Sequence, residues 1–89
     1  MKVIKRDGHM VDYSPDKIEN AVNKANLEVQ EEDQASSTQI RNIIKYIEKL
    51  GKKRILVEDI QDIIEMKLMS IGKYALAKKY ITYRYTRDL

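Results

Sequence analysis

Apolar residues first occur as two short alternating runs, Val3-Ile4 and Met10-Val11, on either side of Asp7-Gly8. Asp-Gly between such runs is a strong local signal for a two-residue hairpin turn. A two-residue loop sets Lys5 opposite Met10 and Ile4 opposite Val11, and places Val3, Lys5 and Met10 on one face. From Ser14 onward the period changes to that of a helix. Ser14 stands at the N-cap position, Pro15 where its missing N–H costs nothing, and Asp16 where the helix dipole favours an anion. The stripe Ile18, Ala21, Val22 and Ala25 then faces inward as far as Leu27, with Glu19, Asn20, Asn23 and Lys24 outward.

Residues 28–35 are acidic and aperiodic, so they read as a connection. Ser36 or Ser37 caps a second helix whose stripe is Ile40, Ile43, Ile44, Ile47 and Leu50, with Gly51 as its stop. Ile55-Leu56-Val57 is a β-rich run that can join the hairpin as a third strand. Glu58 and Asp59 open a third helix with Ile60, Ile63, Ile64, Leu68 and Ile71 inside and Gly72 at its end. A last helix from Lys73 to about Arg87 buries Leu76, Ala77, Tyr80 and Ile81. The expected fold class is α+β: a bundle-like set of four helices covered by a small three-stranded sheet, made of the N-terminal hairpin plus one short strand. Residues 1–89 fit one domain.

Composition narrows the function classes. The chain is 43% hydrophobic and 35% charged, too apolar for disorder and too charged for membrane insertion. It has no Cys, and the charged opening Met1-Lys2-Val3-Ile4-Lys5-Arg6 does not read as a signal peptide, so no membrane and a cytoplasmic setting are expected. No catalytic centre is visible. His9 stands alone beside the turn, and without Cys or a second His it forms neither a nucleophile pair nor a usual zinc site. Glu31-Glu32-Asp33 and Glu58-Asp59 lie in a connection and at a helix start, where solvation and dipole effects account for them.

The net charge of +3 suits an anionic partner without identifying it. The informative cluster is Lys5, Arg6 and Lys17: a basic strand enters a tight turn, and the chain returns to a cation in a helix's first turn. A cation there is unfavourable unless a bound anion or a neighbouring acid compensates. Asp16 is one such compensation; a phosphate chain between hairpin and helix, held by all three cations, is the other. Two further classes stay open: a helical DNA-binding domain, drawn from Lys52-Lys53-Arg54 and the basic last helix, and a pure oligomerisation module.

Val3-Ile4-Lys5-Arg6-Asp7-Gly8, followed at the right interval by Asp16-Lys17-Ile18, resembles the opening signature of the ATP-cone domain. Ile55-Leu56-Val57-Glu58-Asp59-Ile60 resembles that family's third strand and helix start, and Tyr80-Ile81-Thr82-Tyr83-Arg84-Tyr85-Thr86-Arg87 its closing helix. The resemblance implies a nucleotide held between sheet and helices by Val3, Lys5, Arg6 and Lys17, with Ser14, Val57, Gln61 and Arg87 as further contacts. It also departs from the family: many aerobic reductase cones carry Glu where this chain has Val11, and Thr and His where it has Val57 and Gln61. By resemblance the chain is a non-catalytic regulatory domain at the N-terminal end of a ribonucleotide reductase large subunit. The ending points to the anaerobic, glycyl-radical class. The implied effector is ATP or dATP, able to travel as its magnesium complex. The implied partners are the catalytic portion of the parent reductase and, where inhibition runs through assembly, further copies in a nucleotide-dependent homo-oligomer; nucleic acid is not expected.

Overall fold

The computed structural model describes residues 1–86, which form a sheet of three short strands against four helices. The strands are β1 (Lys2–Ile4), β2 (Met10–Asp12) and β3 (Arg54–Leu56); the helices are α1 (Pro15–Asn26), α2 (Ser37–Lys49), α3 (Val57–Ser70) and α4 (Tyr74–Thr86). The α+β expectation holds. Among the described residues no helix is long and apolar enough to cross a membrane.

The hairpin forms one register step away from the expected pairing. Ile4 faces Met10, Val3 faces Val11 and Lys2 faces Asp12. The Lys5 N–H donates to the His9 carbonyl at 2.7 Å and the Gly8 N–H to the Lys5 carbonyl at 2.9 Å, which leaves the three residues Arg6-Asp7-Gly8 as the loop. Gly8 takes φ 90°, as the last residue of a three-residue hairpin loop requires. Asp7 stabilises it by accepting the His9 N–H at 3.0 Å. The shift exchanges faces: Val3 and Val11 share the inner side, while Met10 is 50% exposed with Ile4 on the other.

β1 is the central strand. It pairs antiparallel with β2 and parallel with β3, setting Val3 beside Ile55. The third strand ends earlier than expected, because Val57 is already the first residue of α3, with Leu56 as its extended cap residue. Glu58 and Asp59 lie in the first helical turn, where the dipole favours acids, and this outweighs the β preference of Val57.

The isoleucine stripes form one core. Ile18, Ile40, Ile47, Ile60 and Ile64 join Leu76 and the fully covered Tyr80, and Val3 and Ile55 complete the cluster from the sheet side. Four stripe positions depart from expectation. Leu50 and Ile71 are 39% and 41% exposed, because they are the cap residues at which Gly51 and Gly72 turn the chain through positive φ. Ile63 and Ile81 are half-buried at the margin.

Two local devices hold the helices in place. Ser36 and Gln39 form a reciprocal capping box at the start of α2. Ahead of it, the acidic connection contains a 3₁₀ turn at Glu31–Asp33 and is anchored by buried Asn26. The Asn26 amide donates to the Ala35 carbonyl at 3.0 Å, and its carbonyl accepts the Ala35 N–H at 3.0 Å.

Ile47 and Leu50 occupy the same sequence stripe but differ in burial, 0% against 39% exposed. Ile47→Ala should cost about 2–5 kcal/mol and Leu50→Ala under about 1 kcal/mol in urea unfolding. Equal losses would contradict the placement of the α2 end.

Candidate functional site

The sheet does not lie flush on the helices. Between β1, β2 and the first turns of α1 and α3 is a narrow cleft of about 20 Å³, lined by Val3, Val11, Asp12, Tyr13, Ser14, Lys17, Ile18, Val57 and Ile60. Each wall follows from the local fold. Val3 and Val11 are the inward pair of the hairpin, Ile18 and Ile60 open the buried stripes of α1 and α3, and Val57 is 1% exposed at the α3 start. The result is a narrow apolar slot with polar groups at its rim.

Ser14 and Lys17 form the α1 side of that rim. Ser14 occupies the N-cap position as expected, but its side chain makes no cap hydrogen bond; the Lys17 N–H instead reaches the Ser14 carbonyl at 3.2 Å. Lys17 is exposed, and among the described residues its ammonium has no ion-pair partner. Asp16 therefore does not neutralise it by direct contact, although it still complements the helix dipole. The carboxylate that lines the cleft, Asp12, is paired with Lys2 across the hairpin, and that contact holds it below its usual carboxylate pKa. Tyr13 is fixed by donating its hydroxyl to Glu48 Oε2 at 2.9 Å; burial first, and then Glu48, push its phenol above the ordinary range.

Four of the sequence-derived site residues, Val3, Ser14, Lys17 and Val57, thus come together around one cleft. Gln61 lies one helical turn beyond Val57 on α3 and is fully buried. Its Oε1 accepts from Arg6 Nη2 at 3.1 Å, which fixes the amide orientation because arginine offers no acceptor. Its Nε2 is a buried donor with no partner among the described residues, a state that costs about 1–3 kcal/mol. Arg6, in the hairpin loop, also donates to the Arg84 carbonyl at 3.0 Å and lies 3.9 Å from the Glu58 carboxylate. Lys5 is half-buried at the base of the loop and is not part of the cleft wall. Arg87 lies outside the described residues.

Sequence reasoning missed Val11, Ile18, Ile60 and Tyr13 as cleft walls, since an apolar residue with core periodicity carries no mark of lining a cavity. It also missed Arg84. That residue is 12% exposed, and its Nη1 reaches both Asp62, at 2.8 Å, and Glu65. The spacing of Asp62 and Glu65 on one face of α3 was the available signal. Arg84 and Lys73, whose ammonium donates to the Glu32 carbonyl at 3.0 Å, are thereby engaged in holding the fold. This removes two of the cations on which the DNA-binding alternative drew. Among the described residues no group of three His, Cys, Asp or Glu side chains is placed to hold a metal ion.

Comparison with known proteins covers the whole chain. A family model described as the ATP cone domain matches residues 1–89. The chain is 36% identical to the ribonucleoside-diphosphate reductase subunit alpha of Chlamydia trachomatis, over 98% of its own length and 9% of that protein. It is 36% identical to the anaerobic ribonucleoside-triphosphate reductase of Haemophilus influenzae, over 98% of the chain and 12% of the relative. It is 38% identical to the vitamin B12-dependent ribonucleoside-diphosphate reductase of Thermoplasma acidophilum, over 97% and 12%.

The two acids that hold Arg84 differ in burial, Glu65 being 17% and Asp62 67% exposed. Glu65→Ala should cost about 1–3 kcal/mol and Asp62→Ala under about 1 kcal/mol in chemical denaturation, because only the covered pair escapes solvent screening. The reverse order would show that the clamp is a surface contact.

Proposed function

The chain belongs to the ATP-cone domain family, and from that membership we propose that it binds ATP or dATP in the cleft between sheet and helices and thereby sets the overall activity of a ribonucleotide reductase. The observation that supports this most is Lys17: a cation without an ion pair in the first turn of α1, at the rim of an apolar cleft. Free N–H groups at a helix start already attract anions, and a lysine added there favours one strongly charged ligand over none.

The roles follow from position. The apolar walls Val3, Val11, Ile18, Val57 and Ile60 take the base and sugar, with Ser14 at the rim to hydrogen-bond a hydroxyl. Lys17, Lys5 and Arg6 take the phosphates, and Arg87 is a further contact. The spare Gln61 Nε2 supplies a donor to an acceptor on the nucleoside. Asp12 repels phosphate, so the phosphate chain runs along the lysine side. With no acidic cluster of three among the described residues, an accompanying magnesium ion would be held by the phosphates themselves.

The domain performs no chemistry of its own. It is the N-terminal part of a longer cytoplasmic reductase that supplies deoxyribonucleotides for DNA replication. ATP turns the enzyme on and dATP turns it off, in so far as the two bind its active and inactive states with different affinity. We place the parent in the anaerobic class on the closing sequence from Tyr80 to Arg87; relatives with three different reductase names match at comparable identity. Inhibition through a nucleotide-dependent homo-oligomer fits the same scheme.

Titration calorimetry of the chain with ATP and dATP tests the reading. Lys5→Ala and Lys17→Ala should each weaken binding by about ten- to a hundredfold, the effect of losing one charge-assisted phosphate contact. Unchanged affinity in both variants would remove the site, and no heat with either nucleotide would remove the function.

A further inference from the structure

We propose that the outer face of the sheet is a self-complementary docking surface, on which a second copy of this chain lies face to face about a two-fold axis parallel to β1. The inference does not require the nucleotide reading. It uses the side of the sheet opposite Val3 and Val11, the inward pair that walls the cleft, and Asp12 at its strand end is the one residue that the two surfaces share.

Alternation of side chains puts Val3, Val11 and Ile55 inward and the residues flanking each of them outward. The register arranges the outward six in two rows across the strands. Met10, Ile4 and Leu56 stand side by side in one, and Asp12, Lys2 and Arg54 in the other. The apolar row is uncovered: Met10 is 50% and Leu56 48% exposed, and Ile4 between them is half-buried. Polar residues are the usual choice on the wet face of a small sheet, so three adjoining apolar ones call for a cover.

The charged row identifies that cover. Asp12 is paired with Lys2. Arg54, on the far side of Lys2, adjoins a like charge and has no ion-pair partner among the described residues. What it lacks is an acid in the position that Asp12 holds on the other edge. A two-fold rotation supplies it, because β2 of one copy then lies over β3 of the other. Asp12 meets Arg54 twice, Met10 meets Leu56 twice, and Ile4 meets Ile4, as an isologous contact requires. The two Lys2 side chains also meet, but each is drawn sideways by Asp12 of its own copy. Aligned sheets pack in this manner at a separation of about 10 Å.

Area sets the strength. Three strands of three residues present a footprint of roughly 10 by 10 Å, far below the about 800 Å² per partner of a standard interface. The association is therefore weak, with a dissociation constant on the order of a millimolar.

Amide chemical shifts and sedimentation of the 89-residue chain, without nucleotide and up to about 2 mM, test this. Shifts in β1, β2 and β3 should change with concentration while those of α2 stay fixed, which also reports that each variant folds. Met10→Glu, which sets a carboxylate over Leu56 of the other copy, should weaken association at least about tenfold and so remove the concentration dependence. Arg54→Asp, which sets acid against acid, should do the same. Asp12→Arg combined with Arg54→Asp should restore it, because the row then reads Arg, Lys, Asp and again matches its own rotated copy. A monomer at every concentration overturns the proposal and leaves the face to a different partner. Self-association that persists in Met10→Glu puts the contact on another surface and overturns it too. A charge-swapped double variant that stays monomeric overturns the two-fold pairing.

Discussion

The structure depends on how a sheet too small to stand alone is attached to its helices. Three strands of three residues each cannot bury enough surface to persist in water. What fixes them is the inward pair across the β1–β3 ladder, Val3 beside Ile55, both inside the same cluster as Ile18, Ile60 and Leu76. This attachment runs along the β1–β3 side. On the β2 side Val11 packs against the same cluster but is only half-buried, and the narrow cleft lies beside it. One packing constraint therefore creates both the cover and the space under it.

The same attachment explains why the polar residues of the site lie where they do. β1 enters the sheet with Val3 inward and leaves it through a loop that carries Arg6 towards Gln61 of α3. β3 passes into α3 without an intervening loop, so the parallel ladder fixes Val57 and Gln61 relative to Val3. Ser14 and Lys17 follow from the chain's return out of β2. A ligand in the cleft would touch the starts of two helices and the middle strand at once.

Much of this was legible from residue patterns, for identifiable reasons. The stripe Ile40, Ile43, Ile44 and Ile47 and the glycines at 51 and 72 mark α2 and the helix ends, because helical periodicity and positive φ are local properties. Lys17 stood out because a cation in a first helical turn contradicts the local dipole. The hairpin register was misjudged by one residue because Asp-Gly serves both a two-residue loop and the end of a three-residue one, and only the ladder chooses between them. Val57 was misassigned because a valine between an apolar strand and two acids satisfies either state. Asn26 was invisible as an anchor and Arg84 was signalled only by the acid pair on α3, since Ala35, Asp62 and Glu65 are brought to them only by folding.

The basic run before β3 acquires a different meaning in this setting. β3 is an edge strand, paired with β1 on one side and led in by exposed Lys52, Lys53 and Arg54. The opposite edge, β2, ends in the charged Asp12 that pairs with Lys2. An open edge invites strand addition from another chain, and lysines or charged pairs placed there make such annealing repulsive. Both flanks of this small sheet carry charge, which disfavours strand addition from another chain at either edge.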